Sequence, residues 1–496
     1  MAYIGLDVGT SGCKAAVISE SGSILTLASR EYSFVCPLPG YVELDPQVVW
    51  GAVVSVLQEI AAAGHDLKMI AVSAIGEAMV MMDKQDKTIG NVITYLDRRC
   101  SDIVHEIGDR IDLETLHAIT GVPLNQTYSL NKYIWLERNQ PEVLERADKI
   151  FLFVDFLTYK LSGERVVDPS SASRTMFFDV IKMEWSPVIT GLFGIPIDKF
   201  SKVILTGSIV GTIRRELADE IGLPADLKVI MGCHDQCAAS LGSGTVLAGD
   251  IMAGEGSTES INLIINKKDI SGKFCRNHMC YEPYVGTDQY QTAVSMPTHG
   301  TSIRWFVNEF GADFGNCEDI PGENIFERAN RGCADDSGEV IFLPYLSRAS
   351  FMDEKDTALG GFLGLDVNID KSRMYRALLE GLCFESRLNF ELIQSMGLKI
   401  NKIVASGGCS KSALYMQMKS DILQQQISIP ENPEAGVMGL AILCAKADGI
   451  FAGYEDAVTQ FVKIGNRYSP QREYISKYKK YCMASKAIKE LYKEMP

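Results

Sequence analysis

The sequence predicts an α/β protein built from two similar halves, and three observations carry that prediction. Apolar runs of strand length alternate with longer segments of helical period along the whole chain. The chain opens with a strand at 3–6, a glycine-rich turn Asp7-Val8-Gly9-Thr10-Ser11-Gly12, and a second strand at 15–18. The same plan returns at 250–258 and 260–264. Setting Gly9-Thr10 over Gly256-Ser257 gives an offset of 247 residues (256 minus 9), about half of the 496-residue chain.

Each element follows from local chemistry. Gly22 opens a third strand near 24–29. Asp45 is a cap and Pro46 suits the first helical position, so a helix runs to about residue 63. Residues 69–73 read as a buried strand, and Met79, Met81 and Met82 as strand core. A helix covers 131–139, and Pro141 opens a short amphipathic one through 147. The buried strand 227–231 leads through Gly232-Cys233-His234-Asp235 into a helix of small residues, Cys237 to Leu241. Late in the chain, Ile403-Val404-Ala405 and Gly407-Gly408 before a helix mirror that arrangement. No low-complexity linker separates the halves, so two domains are expected, 1–246 and 247–496, meeting across a cleft.

Composition narrows the function. A chain of this length exceeds one ordinary core, and 46% apolar with 22% charged residues is globular usage. The formal charge of −15 argues against a nucleic-acid partner. Thirteen cysteines without framework spacing read as reduced thiols; Cys233, His234 and Cys237, or Cys275, His278 and Cys280, make no four-ligand zinc pattern. The N-terminus lacks a basic leader and no apolar run reaches membrane length, so the expected compartment is the cytoplasm, without a membrane partner.

The glycine-rich turns suggest phosphate chemistry. Gly, Thr and Ser between two strands expose backbone N–H groups and hydroxyls to an anion, and Asp7 at the strand end suits Mg²⁺ or its waters. A plain hairpin turn is the alternative. The turn is neither a Walker A loop nor a dinucleotide fingerprint: Lys14 follows Cys13, and a strand, not a helix, comes next. Asp235, after a buried strand, is a candidate proton acceptor or an ordinary helix cap. Glu77, after Ser73-Ala74-Ile75-Gly76, is a candidate ligand-binding carboxylate or a loop glutamate. Asp97, in Asp97-Arg98-Arg99, is a second candidate or one half of a helix-start ion pair. His234 and His299 have no triad partner nearby in sequence and suit structural or hydrogen-bonding roles.

Asp7-x-Gly9-Thr10-Ser11, Gly256-Ser257-Thr258 and Gly407-Gly408 resemble the two phosphate motifs and the adenosine motif of the actin, hexokinase and sugar-kinase superfamily. Within it the chain resembles the FGGY carbohydrate kinases: xylulokinases, gluconokinases and glycerol kinases. The likeness extends over nearly the whole chain. It includes Pro39-Gly40-Tyr41-Val42-Glu43, Lys132 to Asn139, Gly360 to Leu365 with Glu380-Gly381, and Lys419-Ser420-Asp421.

The resemblance implies two actin-like (ribonuclease H-like) domains with a nucleotide and sugar cleft between them. It also implies ATP with Mg²⁺, and transfer of phosphoryl to a hydroxyl of a small sugar or polyol, xylulokinase-like, with glycerol or gluconate as alternatives. A homodimer is the expected assembly. The implied roles are Asp235 as base; Glu77, Asp97 and Gln236 at substrate; Thr10, Ser11, Lys14, Gly256, Ser257, Thr258, Gly407, Gly408 and Ser412 at ATP; and Asp7 at metal. Gly76-Glu77 and the stretch Arg348 to Asp353 depart from the xylulokinase pattern, while Asp235-Gln236 is closer to glycerol kinase.

At the helix N-terminus Asp235 is expected to stay ionised. Gly76 is expected to widen the pocket. Without a nearby cation, Glu77 beside Asp235 would repel a sugar acid, favouring a linear polyol or ketopentose. An actin-like ATPase machine and a binding-only sugar sensor are the competing classes.

Overall fold

Why three distant stretches of chain share one core is answered by close backbone packing. The computed structural model describes residues 1–312, 320–347 and 357–494; Arg348 to Asp353 lies outside the described residues. The chain divides into two compact units. The first comprises Met1–Ala248, Ile264–Thr292 and Glu434–Lys463; the second comprises Gly249–Leu263, Ala293–Pro433 and Ile464–Pro496. Two segments beyond the expected boundary at 246 therefore group with the first unit.

The first unit is built on a six-stranded sheet. Ala2–Val8 pairs antiparallel with Gly12–Ser19, which pairs antiparallel with Ile24–Glu31. On its other side Ala2–Val8 runs parallel to Leu67–Ala74, which runs parallel to Lys228–His234; Ile209–Thr212 closes that edge antiparallel. The strands are apolar and almost wholly buried, as parallel strands covered on both faces must be.

Helix Ala435–Ala447 covers the sheet beside helix Asp235–Gly242, and glycines let the backbones touch. A Cβ at Gly5 would lie 2.3 Å from the Val437 carbonyl oxygen, one at Gly242 1.8 Å from that of Ala435, and one at Gly439 2.0 Å from that of Ala238. This contact carries Glu434–Lys463 into the first unit. The resulting core joins Tyr3, Ile18, Met69, Ile230, Leu241, Tyr284, Leu440 and Phe461.

The second unit repeats the pairing order. Asp250–Glu255 is antiparallel to Glu259–Asn266 and parallel to Lys402–Ser406. Lys402–Ser406 runs parallel to Ile427–Pro430, and Ile464–Tyr468 closes the edge antiparallel. From hairpin to edge the sequence of antiparallel and parallel pairings matches the first unit. Duplication is thus visible in topology as well as in the turns.

The predicted helices and strands of the first half form where expected. Asp45 caps helix Pro46–Ala62 by accepting from the Gln47 N–H at 2.8 Å. Met79–Met82 is a buried strand. The described cysteines are all free. Among the described residues no helix is long and apolar enough to cross a membrane.

Candidate functional site

In the first unit three parallel strands deliver their carboxyl ends side by side, the usual location for ligands on such sheets. Asp7 pairs in register with Ser73, and Ser73 with Cys233. Asp7, the turn after Ser73 and Asp235 therefore come together, although 66 and 162 residues separate Ser73 from its neighbours on the two sides (73 minus 7; 235 minus 73).

Asp7 is held by the Ser73 hydroxyl, which donates to Oδ1 at 2.6 Å. Burial and the charge of Asp235 push its carboxyl up to about 6, against the Ser73 hydroxyl and Lys14. Glycine at 436 keeps its flank open, since a Cβ there would sit 2.6 Å from Asp7 Oδ2. The turn beside it is tight: Gly9 N–H donates to Gly12 C=O at 2.9 Å and the Tyr32 hydroxyl donates to Gly9 C=O at 2.6 Å. Thr10 lies beside Tyr95, and Ser11 is exposed. Lys14, expected at phosphate, pairs with Glu434 at 2.5 Å. Phosphate would have to compete with that carboxylate.

Asp235 is the first residue of helix Asp235–Gly242, and the residue before it, His234, is the cap. Its side chain keeps 26% of its surface exposed, enough to be reached by a solute. The ionised state expected at this helix N-terminus meets opposing influences. Burial raises its carboxyl above the ordinary range, and Glu77 and Glu282 add to that; His234 and the Gln236 N–H pull the other way. Gln236 follows on the same helix, partly buried.

Glu77 is buried in a turn with φ of +61°, a conformation costly for a residue with a Cβ. Its surroundings hold it there. The Ser129 hydroxyl and Lys132 ammonium donate to its carbonyl at 3.0 and 2.8 Å, and Arg174 Nε donates to Oε1 at 2.7 Å. Burial lowers Lys132 to about 8, although Glu77 opposes this.

Two expectations about this turn fail. Arg174 stands beside Glu77 and offsets its charge, so Glu77 does not set up the expected repulsion of a sugar acid. Gly76 does not widen a pocket either: its missing Cβ makes room for Arg174 Cγ at 3.0 Å and His234 Nε2 at 3.1 Å.

Asp97 is corrected to its ion-pair alternative. Its side chain is fully enclosed, accepting from Val42 N–H at 2.6 Å and Arg99 N–H and Nε at 2.9 Å each. Arg99 also reaches Glu43 at 2.6 Å and lies 3.8 Å from the centre of the Tyr41 ring. This knot holds the Pro39 to Glu43 segment in place and leaves Asp97 no face for a substrate.

Sequence reasoning missed Arg174 and Glu282, the latter a partner of His234. His234 Nδ1 lies 3.1 Å from Glu282 Oε2, and Nε2 lies 3.2 Å from Asp235 Oδ1. One signal was present: Glu282 is a charged residue inside the otherwise apolar strand Cys280–Pro283.

The second unit carries the other motifs. Gly256, Ser257 and Thr258 turn between two strands and rest on the start of helix Gly300–Phe310. Gly256 C=O accepts from Gly300 N–H at 3.0 Å, and Ser257 C=O from Thr301 N–H at 3.2 Å. His299 supports the turn, with Nδ1 3.2 Å from Gly256 C=O and Nε2 2.6 Å from the Tyr415 hydroxyl. Beneath it, buried Lys419 pairs with both Glu255 and Glu259. Gly407 has φ of +110° and its missing Cβ avoids the Glu255 carbonyl, while Gly408 faces open space. Ser412 is occupied: it caps helix Ala413–Leu423 through Tyr415 N–H at 3.2 Å and accepts from Asn330 Nδ2 at 3.1 Å.

Comparison with known proteins accounts for this layout. The family model described as "FGGY family of carbohydrate kinases, N-terminal domain" matches residues 2–242, and that for the C-terminal domain matches 265–447. A gluconokinase of Bacillus subtilis is 26% identical over 488 residues, covering 96% of this chain and 93% of the relative. A xylulose kinase of Lactococcus lactis subsp. lactis is 28% identical over 471 residues, covering 93% and 91%. The crystal structure of xylulose kinase from Rhodospirillum rubrum superposes with a TM-score of 0.87 at 25% identity, covering 99% of this chain and 98% of that one. The chain belongs to the FGGY family of carbohydrate kinases, ATP-dependent phosphotransferases with an alcohol group as acceptor.

Proposed function

We propose that the chain transfers phosphoryl from MgATP to a hydroxyl of a small open-chain sugar, a ketose such as xylulose, with Asp235 as the base. The xylulose kinase relatives favour a ketose, and one observation carries the choice of base. Asp235 is a solvent-reachable carboxylate at the carboxyl end of the sheet, while its acidic neighbours Glu77 and Glu282 are enclosed and paired. A raised carboxyl is a better proton acceptor than an ordinary one, provided it is ionised at working pH. Charge neutralisation and positioning supply the rest of the catalysis in such transfers.

Asp7 fits a divalent cation. Burial and, after it, the facing Asp235 charge raise its carboxyl, and a cation would relieve both. Mg²⁺ held there, directly or through water, would neutralise charge on the transferring phosphate. In this reading Thr10, Ser11, Gly256, Ser257, Thr258, Gly407 and Gly408 serve ATP, and the Glu77–Arg174 pair shapes the sugar pocket. A cytoplasmic location and a homodimer belong to the same proposal.

Gluconate is the second reading, favoured by Arg174 beside Glu77 and by the gluconokinase relatives. A coupled ADP assay over pentuloses, hexuloses, alditols and aldonates separates the two. A ketose as best substrate supports the first; gluconate as best substrate replaces it. An ATPase rate that no carbohydrate stimulates would sink both. Asp235→Asn should lower kcat by about 10²–10⁴ with ATP binding little changed. Retention of more than roughly a tenth of turnover removes Asp235 from the role of base.

A further inference from the structure

His234 stands between two carboxylates with a different ring nitrogen facing each. Nδ1 is 3.1 and 3.2 Å from the two Glu282 oxygens, and Nε2 is 3.2 Å from Asp235 Oδ1. The Glu282 carboxylate accepts from the Nδ1–H, and a proton on Nε2 as well makes the ring a cation that pairs by charge with Asp235. The ring is buried, and its own backbone N–H is fixed by the Ser170 hydroxyl at 3.0 Å. Glu282 is buried on strand Cys280–Pro283, where Gln291 Nε2 donates to Oε1 at 3.2 Å and the Cys237 thiol lies 3.6 Å away. Gly76 is the third part of the arrangement, because any larger residue there would meet His234 Nε2.

We propose that Glu282 and His234 act as a positioning pair for Asp235: Glu282 fixes the imidazole as a cation, and the cation keeps Asp235 ionised and aimed while it takes the proton of the sugar hydroxyl. The inference rests on Asp235 being the base. The hydroxyl oxygen forms the new bond to phosphorus as its proton passes to Asp235, and ADP leaves with the electron pair of the broken bond. His234 neither gives nor takes a proton in that step; its charge offsets what burial does to Asp235.

The charges around the ring are consistent with this. Burial disfavours the imidazolium, yet Glu282 and Asp235 raise it to about 9, with Arg174 opposing. Glu77 and Asp7 face Asp235 from the other strand ends, and both work against its ionisation or share its field. His234 is the largest influence favouring the Asp235 carboxylate.

The test is the pH dependence of kcat/KM between pH 5.5 and 10 for wild type, His234→Asn, Glu282→Gln and Asp235→Asn. In His234→Asn the acid limb should move up by about one pH unit or more, with an about tenfold loss near pH 6 that recovers towards pH 9. Glu282→Gln should shift it the same way by less. Asp235→Asn should be defective at every pH; if it is not, the base assignment fails, whatever His234 does. If Asp235→Asn is defective but His234→Asn and Glu282→Gln keep the wild-type profile, the pair is overturned and the base stands. Nitrogen-15 NMR of histidine-labelled wild type gives an answer that needs no variant to fold. Both His234 ring nitrogens should be protonated at pH 7.5, and a neutral single tautomer there would overturn the proposal.

Discussion

Glu77 illustrates how a residue in a costly conformation is kept there by its neighbours. Its positive φ is compensated by two donors on its carbonyl and by the Arg174 fork on its carboxylate. Removing one partner from a buried ion pair leaves the other charge uncompensated, at a cost of about 3–5 kcal/mol. Arg174→Met should therefore destabilise the protein by roughly that amount in urea or guanidinium unfolding. Adding Glu77→Gln to the same chain should recover part of the loss, and a double-mutant cycle reads the coupling. If the two changes are additive, the pair does not hold the turn.

Arg174 also shows what one sequence hides. It lies 97 residues from Glu77, and Glu282 lies 48 from His234, so neither pair leaves a local spacing. Asp97-x-Arg99 does leave one, and its ion-pair reading is the one the structure follows.

At the scale of elements, glycines decide how closely chains approach. Gly439 lies where helix Ala435–Ala447 crosses helix Asp235–Gly242, with the Ala238 carbonyl filling the space of its missing Cβ. Gly439→Val should push the helices apart and cost about 1–3 kcal/mol or more, seen as a lower Tm. Gly51, in helix Pro46–Ala62, has nothing within 4 Å of the corresponding position. Gly51→Ala should instead stabilise by about 0.4–1 kcal/mol. Equal effects at the two sites would mean that helix propensity, not packing, governs both. The strands, the first helix and the glycine turns were legible because their signals are local: Asp45-Pro46, the apolar runs, the glycines after strands. The tight helix crossing was not, since small residues in a helix do not say what they face.

Across the whole molecule, the matching order of strand pairings in the two units supports the duplication suggested by two short turns. What the turns did not reveal was that Ile264–Thr292 and Glu434–Lys463 belong to the first unit, because membership depends on long-range packing. Stability against pH is likewise a property of the molecule. Asp155 is buried and, among the described residues, has the Ser201 hydroxyl on one oxygen and no hydrogen bond on the other, and burial raises its carboxyl to about 8. Between its ordinary value near 3.8 and about 8, the folded chain holds a proton that the unfolded chain releases. This contribution therefore favours folding at low pH and is lost as pH rises through that window. Asp155→Asn removes the titration, so its Tm advantage over wild type should grow from pH 5 to pH 8. A constant difference would place the proton elsewhere.

The late return of Glu434–Lys463 has a consequence for synthesis. The first unit's sheet is missing its covering helix until residue 447 has left the ribosome, and Tyr3 waits for Asp448, to which its hydroxyl donates at 3.0 Å. A nascent chain that has emerged only as far as residue 433 presents the bare faces of Gly5 and Gly242 to solvent. Such a chain is an expected client for chaperones, and fragments cut at 248 or 433 should be aggregation-prone where the full chain is not. The first domain to be translated is in this protein among the last to be finished.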